Sequence, residues 1–212
     1  MLEFICATFN EENEIRDLLA HIFPFVDKIH IMDDVSTDET VNTLHEVQLL
    51  VPNKLDWHQM DQHSGLPETV KNEALKMVED GSWVILLDCD ERFAPGVLED
   101  IQAWVDGPYA VGISYVYFRQ LEIIDGRQVR EFQKAKLFKK EAVRFSTGIH
   151  EDDVFTGNGI YRDDWVVHHR KSSGKQRQRE SEYLNTYKRL YEEGKIDDGR
   201  LEWLKSLHHF VR

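Results

Sequence analysis

Through about residue 90, short apolar runs alternate with helix-period segments, the pattern of βαβ units built on a mostly parallel sheet. Leu2 to Thr8 and Val26 to Met32 read as the first two strands. Between them Ile15, Leu18, Leu19 and Ile22 recur at i, i+3, i+4 and i+7, one apolar stripe of a helix that Asn10 is placed to cap. Ser36 and Glu39 have capping-box spacing and predict a helix turning Val41 and Leu44 inward. Leu55 to His58 predicts a short third strand. Pro67 opens a helix with Val70, Ala74, Met77 and Val78 on one face, which Gly81 ends. Trp83 to Leu87 is unbroken apolar sequence and reads as a buried central strand.

The pattern changes past Pro95. A helix over roughly 96–105 gives way to an apolar-aromatic strand region, Tyr109 to Glu122. Asp125-Gly126 is a hairpin turn signal, and Val129 to Phe132 returns antiparallel. Short strands near Ala135 to Phe138 and Val143 to Phe145 lead into Gly148-Ile149-His150-Glu151. From about Lys175 the chain turns helical. Tyr183, Leu184, Tyr187, Leu190 and Tyr191 form one stripe ending at Gly194, and Leu201, Leu204, Leu207 and Val211 form another. The fold class expected is α/β, a mostly parallel sheet with a smaller antiparallel part and C-terminal helices. The halves divide at about residue 92 within a domain of 1–170, and 171–212 is a basic loop with helices packed on it.

At 212 residues, 41% hydrophobic and 31% charged, this is a globular chain with enough apolar content for one cored domain. Phe4 to Phe9 is too short to span a bilayer, and Glu3, Glu11, Glu12 and Glu14 do not fit a secretory signal, so a cytoplasmic location without a transmembrane segment is expected. Cys6 and Cys89 are the only cysteines, too few for a disulfide framework or a cysteine-based zinc site. Lys and Arg total 26 against 39 Asp and Glu, a net charge of −13 that works against a polyanionic partner. Basic residues nevertheless gather within 127–145 and 162–179, including Arg170, Lys171, Lys175, Arg177 and Arg179. A local patch of that kind suits a small phosphate-bearing ligand better than a long nucleic acid.

Candidate chemistry sits at two strand ends. Asp33-Asp34-Val35-Ser36-Thr37-Asp38 follows the second strand, and Asp88-Cys89-Asp90-Glu91 follows the Trp83 strand. Carboxylates packed this densely repel, so something positive or hydrogen-bond-donating must sit between them. Ligands of open α/β sheets bind just past the carboxyl ends of strands. On an extended segment Asp88 and Asp90 point the same way, which suits a hard cation such as Mg²⁺ or Mn²⁺ carried with phosphate oxygens. Asp34, not needed by the helix cap, is available to accept from a base N–H. Lys71 is either a phosphate contact or a solvated surface charge.

These segments together resemble family 2 glycosyltransferases of the GT-A fold. The first strand ends in Ala7-Thr8-Phe9-Asn10-Glu11-Glu12, and the two acidic clusters follow in order. Lys136-Leu137-Phe138 and then Arg144-Phe145-Ser146-Thr147-Gly148-Ile149-His150-Glu151 are similar to the "R-L-F … R-F-x-G-x-I-H-E" run of a bacterial branch that includes WaaE-type lipopolysaccharide-core glucosyltransferases. Val166-Val167-His168-His169 resembles that branch's "I-x-H-Y" segment. The resemblance implies that Thr8, Asn10 and Glu11 line a nucleotide pocket with Asp34 on the base. It brings Lys71 to the phosphates and Asp88 to the ribose or sugar, with Asp90 on the metal. Glu151 becomes the general base, with Asp152 and Asp153 as neighbouring acids, and His168 lies near the diphosphate as a candidate metal ligand. The chain departs from the pattern where Val35 replaces glycine after the paired aspartates, which relaxes the turn expected there. His169 replaces tyrosine, which leaves open which histidine matters.

The chemistry implied is direct displacement at an anomeric carbon. A carboxylate takes the proton of an acceptor hydroxyl, typically contributing about 10²–10⁴-fold. One base without a second nucleophile predicts inversion, with UDP the nucleotide expected from the family. The acceptor would be a glycan or another hydroxyl in surface-glycan synthesis, reached by peripheral docking at the inner membrane if it is membrane-held. Rival readings are a two-carboxylate glycoside hydrolase, a phage-type enzyme glycosylating a modified DNA base or a protein, and a nucleotide-sugar-binding module without turnover.

Overall fold

The computed structural model describes residues 1–146, 153–194, 197–199 and 202. The chain divides into two compact units, Met1–Arg170 and Lys171–Arg212.

The first unit opens with three βαβ crossovers. They run through β1 (Leu2–Thr8), α1 (Ile15–Ile22), β2 (Lys28–Asp33), α2 (Thr40–Leu50), β3 (Leu55–Gln59), α3 (Pro67–Met77) and β4 (Trp83–Leu86). Then come β5 (Glu91–Phe93), α4 (Val97–Val105), β6 (Tyr115–Ile124) and β7 (Arg127–Lys139). The hairpin β8 (Val143–Arg144) with β9 (Val154–Phe155), and the long β10 (Gly159–Lys171), complete it. The main sheet has the order β3-β2-β1-β4-β7-β6-β10-β5. β3, β2, β1 and β4 are parallel, whereas β7 runs antiparallel to both β4 and β6, and β5 antiparallel to β10. The direction of crossover reverses between β1 and β4, so the crevice past their carboxyl ends is the topological switch point where α/β sheets hold ligands.

Side-chain alternation divides the core between the two faces of the sheet. Phe4 and Cys6 face one way with Ile29, Ile31 and Ile85, and the stripes of α1 and α4 cover them. Ile5 faces the other way with Met32, Val84 and Leu86 beneath Val70 and Ala74 of α3. Trp104 of α4 meets Trp83 and Trp165 edge-on, with ring centroids 5.3 and 5.8 Å apart, and Phe118 packs on Trp165. Of the aromatic run on β6, Phe118 is therefore core, while Tyr115 and Tyr117 are half-buried against Phe155.

Several local expectations are corrected. Asn10 does not cap α1, which starts five residues later after Glu14; it adopts a left-handed φ of 53° in the loop instead. Ser36 and Glu39 make no capping box. The helix starts at Thr40, and the Ser36 hydroxyl is donated to Asp33. Ala135 to Phe138 is no separate strand but the continuation of β7. Asp125 and Gly126, both at positive φ, make the β6–β7 turn as expected. In the second unit α5 (Ser173–Glu192) is followed by Gly194, whose φ of 67° lets its N–H return to the Tyr191 carbonyl. The second stripe, Leu201 to Val211, lies outside the described residues.

Candidate active site at the strand ends

The loop after β1 and the loop after β2 are held together by side chains, and that consumes several expected pocket groups. Asp33, fully buried, accepts from the Thr8 hydroxyl at 3.0 Å, the Ser36 N–H at 2.8 Å, the Ser36 hydroxyl and the Gln59 amide at 2.9 Å. Asn10 donates its N–H to Ser36 Oγ at 2.8 Å and accepts the Thr37 N–H at 2.8 Å. The Glu11 N–H reaches Thr40 Oγ1 at 2.7 Å. Thr8 and Glu11 are thus buried, and Asn10 half-buried, in the joined loops past the carboxyl ends of β1 and β2. Val35 sits at φ 63°, so valine keeps the left-handed turn that glycine would supply rather than relaxing it.

Asp34 reaches across to the segment before α3. Its two oxygens accept the Ser64 N–H at 2.7 Å and the Gly65 N–H at 3.1 Å, and His63 Nδ1 lies 3.0 Å from Oδ2. His63 in turn stacks on Phe9 at 4.3 Å. Burial pushes the Asp34 pKa up, and the Ser64 and Gly65 N–H groups and His63 offset only part of that rise. A carboxylate has about four lone-pair sites, so Asp34 shapes this wall while retaining capacity for a ligand donor.

The positive groups that the second cluster requires are lysines from elements distant in sequence. Lys71 of α3 is buried with Nζ 3.3 Å from Asp88 Oδ1. Burial, the largest single influence, works against its ammonium form, but Asp88, Glu68, Glu91 and Asp153 together outweigh it, and the pKa rises above the usual lysine value. Burial likewise opposes ionisation of Asp88. Lys71, with Lys136, Lys134 and His169 behind it, holds the Asp88 pKa well below the ordinary carboxylate range. Lys136 is 1% exposed and pairs with Glu91, itself fully buried. Glu91 also accepts the Asp88 N–H at 2.9 Å and the Gln120 amide at 2.6 Å.

Lys136 reaches Glu91 through an irregularity in the sheet. Val116 pairs with Leu137 and Tyr117 with Ala135, so Lys136 is the extra residue of a β-bulge on β7. Bulges re-aim side chains beside active sites. Here the bulge lets a charge enter the otherwise apolar run Ala135-Lys136-Leu137-Phe138 and still find an acid.

Asp90 is buried, and His169 Nε2 of β10 lies 3.1 Å from its Oδ1. His169 pairs with Glu91 across the strands, and His168 with Arg92. Alternation therefore puts His168 on the other face, where burial and Arg170 lower its pKa. Arg92 clamps the acidic turn from behind, donating to the carbonyls of Cys89 at 2.6 Å, Glu91 at 2.8 Å and Glu14 at 3.1 Å. The Cys6 and Cys89 thiols touch at 3.5 Å, and that hydrogen bond, together with burial, pushes the Cys89 pKa up. Glu151 and Asp152 lie outside the described residues. Their neighbour Asp153 is among the carboxylates that keep Lys71 charged, and Asn72 of α3 holds the Phe145 carbonyl at 2.8 Å. No group of three or more His, Cys, Asp and Glu side chains among the described residues is arranged as a metal cluster.

A 3-2-1-4 parallel half with acidic turns at the carboxyl ends of β2 and β4 narrows the family. The family model described as Glycosyl transferase family 2 matches residues 4–179. The chain belongs to this family. No curated protein sequence matches it. Among solved structures, S. aureus TarS is similar over 99% of this chain and 43% of its own, at TM-score 0.64 and 19% identity. The mannosyltransferase PcManGT from Pyrobaculum calidifontis, in complex with GDP-Man and Mn²⁺, is similar over 99% of this chain and 70% of its own, at TM-score 0.62 and 17% identity. S. aureus TarS 1-349 in complex with UDP-GlcNAc shares 26% identity over 61% of this chain and 36% of that chain, at TM-score 0.50. The likenesses establish the GT-A fold of the family member. This chain spans less than half of those two TarS chains. No helix among the described residues is long and apolar enough to cross a membrane.

Two residues that brace this candidate site, Arg92 and Gln120, were not singled out from the sequence, and Asp33 and Glu91 were named only as members of the acidic clusters, without a role. A buried-looking lysine inside an apolar run, Lys136, was the available signal for Glu91. Nothing local marked Gln120.

Proposed function

We propose that the chain moves a sugar from a nucleoside-diphosphate sugar, UDP-linked by preference, to an acceptor hydroxyl with inversion, assisted by Mn²⁺ or Mg²⁺. The acceptor is a surface glycan of the lipopolysaccharide-core kind, as the WaaE-type resemblance implies. The observation that carries this reading is the charge arrangement at the switch point. Asp88 to Glu91 is a turn closed by the Glu91 N–H on the Asp88 carbonyl at 3.0 Å rather than the extended segment expected, and it sets Asp88 beside Lys71 and Asp90 beside His169. PcManGT is described with GDP-Man and Mn²⁺, and TarS 1-349 with UDP-GlcNAc, which supports a nucleotide-sugar donor.

The residues present fit a hard cation. Such ions take one or two protein carboxylates and complete their shell with water and phosphate oxygens, and the buried Asp90 supplies one such carboxylate beside Asp88 in the turn. Asp90 would hold the ion, which when bound would neutralise charge on the departing diphosphate and orient the donor. Lys71 exchanges its contact with Asp88 for a phosphate oxygen, which frees Asp88 to accept from ribose or sugar hydroxyls. Thr8, Asn10 and Glu11 frame the base with Asp34. Glu151 takes the acceptor proton, Asp152 being its alternative. The family resemblance implies His168 near the metal, but His168 lies on the face of β10 opposite His169, and His169 is the histidine beside Asp90.

A thermal-shift panel of nucleotides and nucleotide sugars, with and without Mn²⁺, tests the reading. UDP with Mn²⁺ raises the melting temperature of the wild type, and Asp90→Ala loses the metal-dependent part. Absence of a shift with every nucleotide overturns the proposal. NMR of the product reports the anomeric configuration, and a retained one removes the single-displacement chemistry.

A further inference from the structure

We propose that Gln120, locked by the buried Glu91–Lys136 pair, fixes His169 as the Nε2–H tautomer, so that His169 orients Asp90 as a positioning residue and is not itself a ligand of the cation. The part concerning the cation rests on the reading above; the tautomer is a property of the ligand-free protein.

Lys136 supplies only N–H donors, and its pairing with Glu91 leaves that carboxylate an acceptor on both oxygens. One oxygen also takes the Asp88 N–H, and the other lies 2.6 Å from Gln120 Nε2. That contact orients the amide. Turning it over would set the Gln120 carbonyl oxygen against Glu91 Oε1, two acceptors at hydrogen-bond distance. The Gln120 Oε1 has no hydrogen-bond partner among the described residues, so donor demand alone decides the orientation.

The same NH₂ group carries a second hydrogen, and His169 Nδ1 lies 3.2 Å away. Facing a donor, Nδ1 must present its lone pair. A neutral imidazole with an accepting Nδ1 carries its hydrogen on Nε2. Nε2 is the atom 3.1 Å from Asp90 Oδ1. The contact is close without being aligned as a hydrogen bond, and Nε2 has no other partner among the described residues. A metal-bound histidine instead offers its lone pair to the ion and donates from the opposite nitrogen to an acceptor. Gln120 meets that opposite nitrogen with a donor, so the surroundings of His169 are wired for the reverse arrangement.

Long-range ¹H–¹⁵N correlation spectra of the ¹⁵N-histidine-labelled protein at about pH 8 read the tautomer directly. The His169 signals are assigned by their loss in His169→Gln. The expected wild-type pattern is Nε2–H, retained when Mg²⁺ and UDP are added to saturation. An Nδ1–H pattern in the free protein overturns the proposal, as does loss of the Nε2 hydrogen on adding Mg²⁺ with UDP. Gln120→Met removes the donor and is expected to give a mixture of tautomers; an unchanged Nε2–H pattern there counts against control by Gln120. His169→Gln can still offer an N–H toward Asp90 and is expected to keep Mn²⁺ affinity, followed by electron paramagnetic resonance with UDP, within about threefold. His169→Phe, without a donor, is expected to lose about 10–100-fold, the usual cost of removing a group that orients a ligand. If neither Mg²⁺ nor Mn²⁺ binds with UDP, the donor reading fails while the free-protein spectrum still decides the tautomer.

Discussion

The parallel half buries charge at both ends of its strands, and the two ends do so differently. At the amino end Glu3, fully buried, is satisfied by groups close by: His30 Nε2 at 2.6 Å, the Ser82 hydroxyl and the Glu79 N–H at 3.2 Å. One acid, enclosed by donors, ties β1 to β2 and to the start of β4. At the carboxyl end three acids fall within four residues, and the balancing ammonium groups arrive from α3 and from a bulge on β7. The first arrangement is closed. The second leaves Asp88 partly exposed against Lys71, the lysine proposed to turn to a donor phosphate. Burial by itself does not mark a functional site; what distinguishes this end is that its acids are balanced by ammonium groups and one of them, Asp88, stays partly exposed.

The largest effect expected at the carboxyl end comes from Lys136→Met, which strands Glu91 as a buried charge. Unfolding in urea should show a loss of about 3–5 kcal/mol, the usual cost of removing one partner of a buried pair. Adding Glu91→Met should recover much of it. A double variant no more stable than the single one would show that the pair is not an isolated unit.

Glu3→Ala probes the other end. It leaves the Ser82 hydroxyl and the Glu79 N–H without their acceptor, and the stability loss should be about 1–3 kcal/mol. Turnover of the nucleotide sugar by the folded fraction should stay at the wild-type rate. A fall in rate matching that of a carboxyl-end variant would erase the distinction between the two ends.

Lys71→Met sharpens the comparison through pH. The folded pKa of Asp88 is depressed, so its contribution is present above the unfolded value of about 3.9 and is lost as pH falls below it. Urea midpoints from pH 6 downward should fall steeply below about pH 4 in the wild type and less steeply in Lys71→Met. Parallel curves would mean that Lys71 does not set the Asp88 ionisation.

The smallest effect is at Val35. A β-branched residue at φ 63° costs roughly 1–2 kcal/mol, and glycine would relieve most of this while freeing the unfolded chain. Val35→Gly should raise the melting temperature by a few degrees at most. A decrease would mean that the valine side chain contributes packing that outweighs the strain.

Much of this frame is legible in the sequence because it depends on short-range pattern. Apolar runs and i, i+3, i+4 stripes located β1 to β4 and helices α1, α3 and α4, and the strand ends then located both acidic turns. What escaped depends on contacts between residues far apart. Ser36 has the spacing of a cap, yet Asp33 takes its hydroxyl, and competition between those acceptors is invisible along the chain. β7 looked like two pieces because its first part is exposed on both faces, and β10 escaped because Arg162, Asp163 and Asp164 interrupt its apolar alternation. Lys136 was visible only as a similarity to a family motif. Its role needed the bulge, which has no signature in composition. The general base expected at Glu151 lies outside the described residues.

The bulge on β7 also bears on where this protein can be cut. A fragment ending after β5 would contain every strand of the parallel half and all three acids of the second cluster. Of the lysines that neutralise them it would keep Lys71 alone, because Lys134 and Lys136 are contributed more than 40 residues later. Charge balance at the second acidic turn is thus borrowed from the half that follows. Anyone excising a minimal binding module, or grafting this site onto another scaffold, has to carry the β6–β7 hairpin with it.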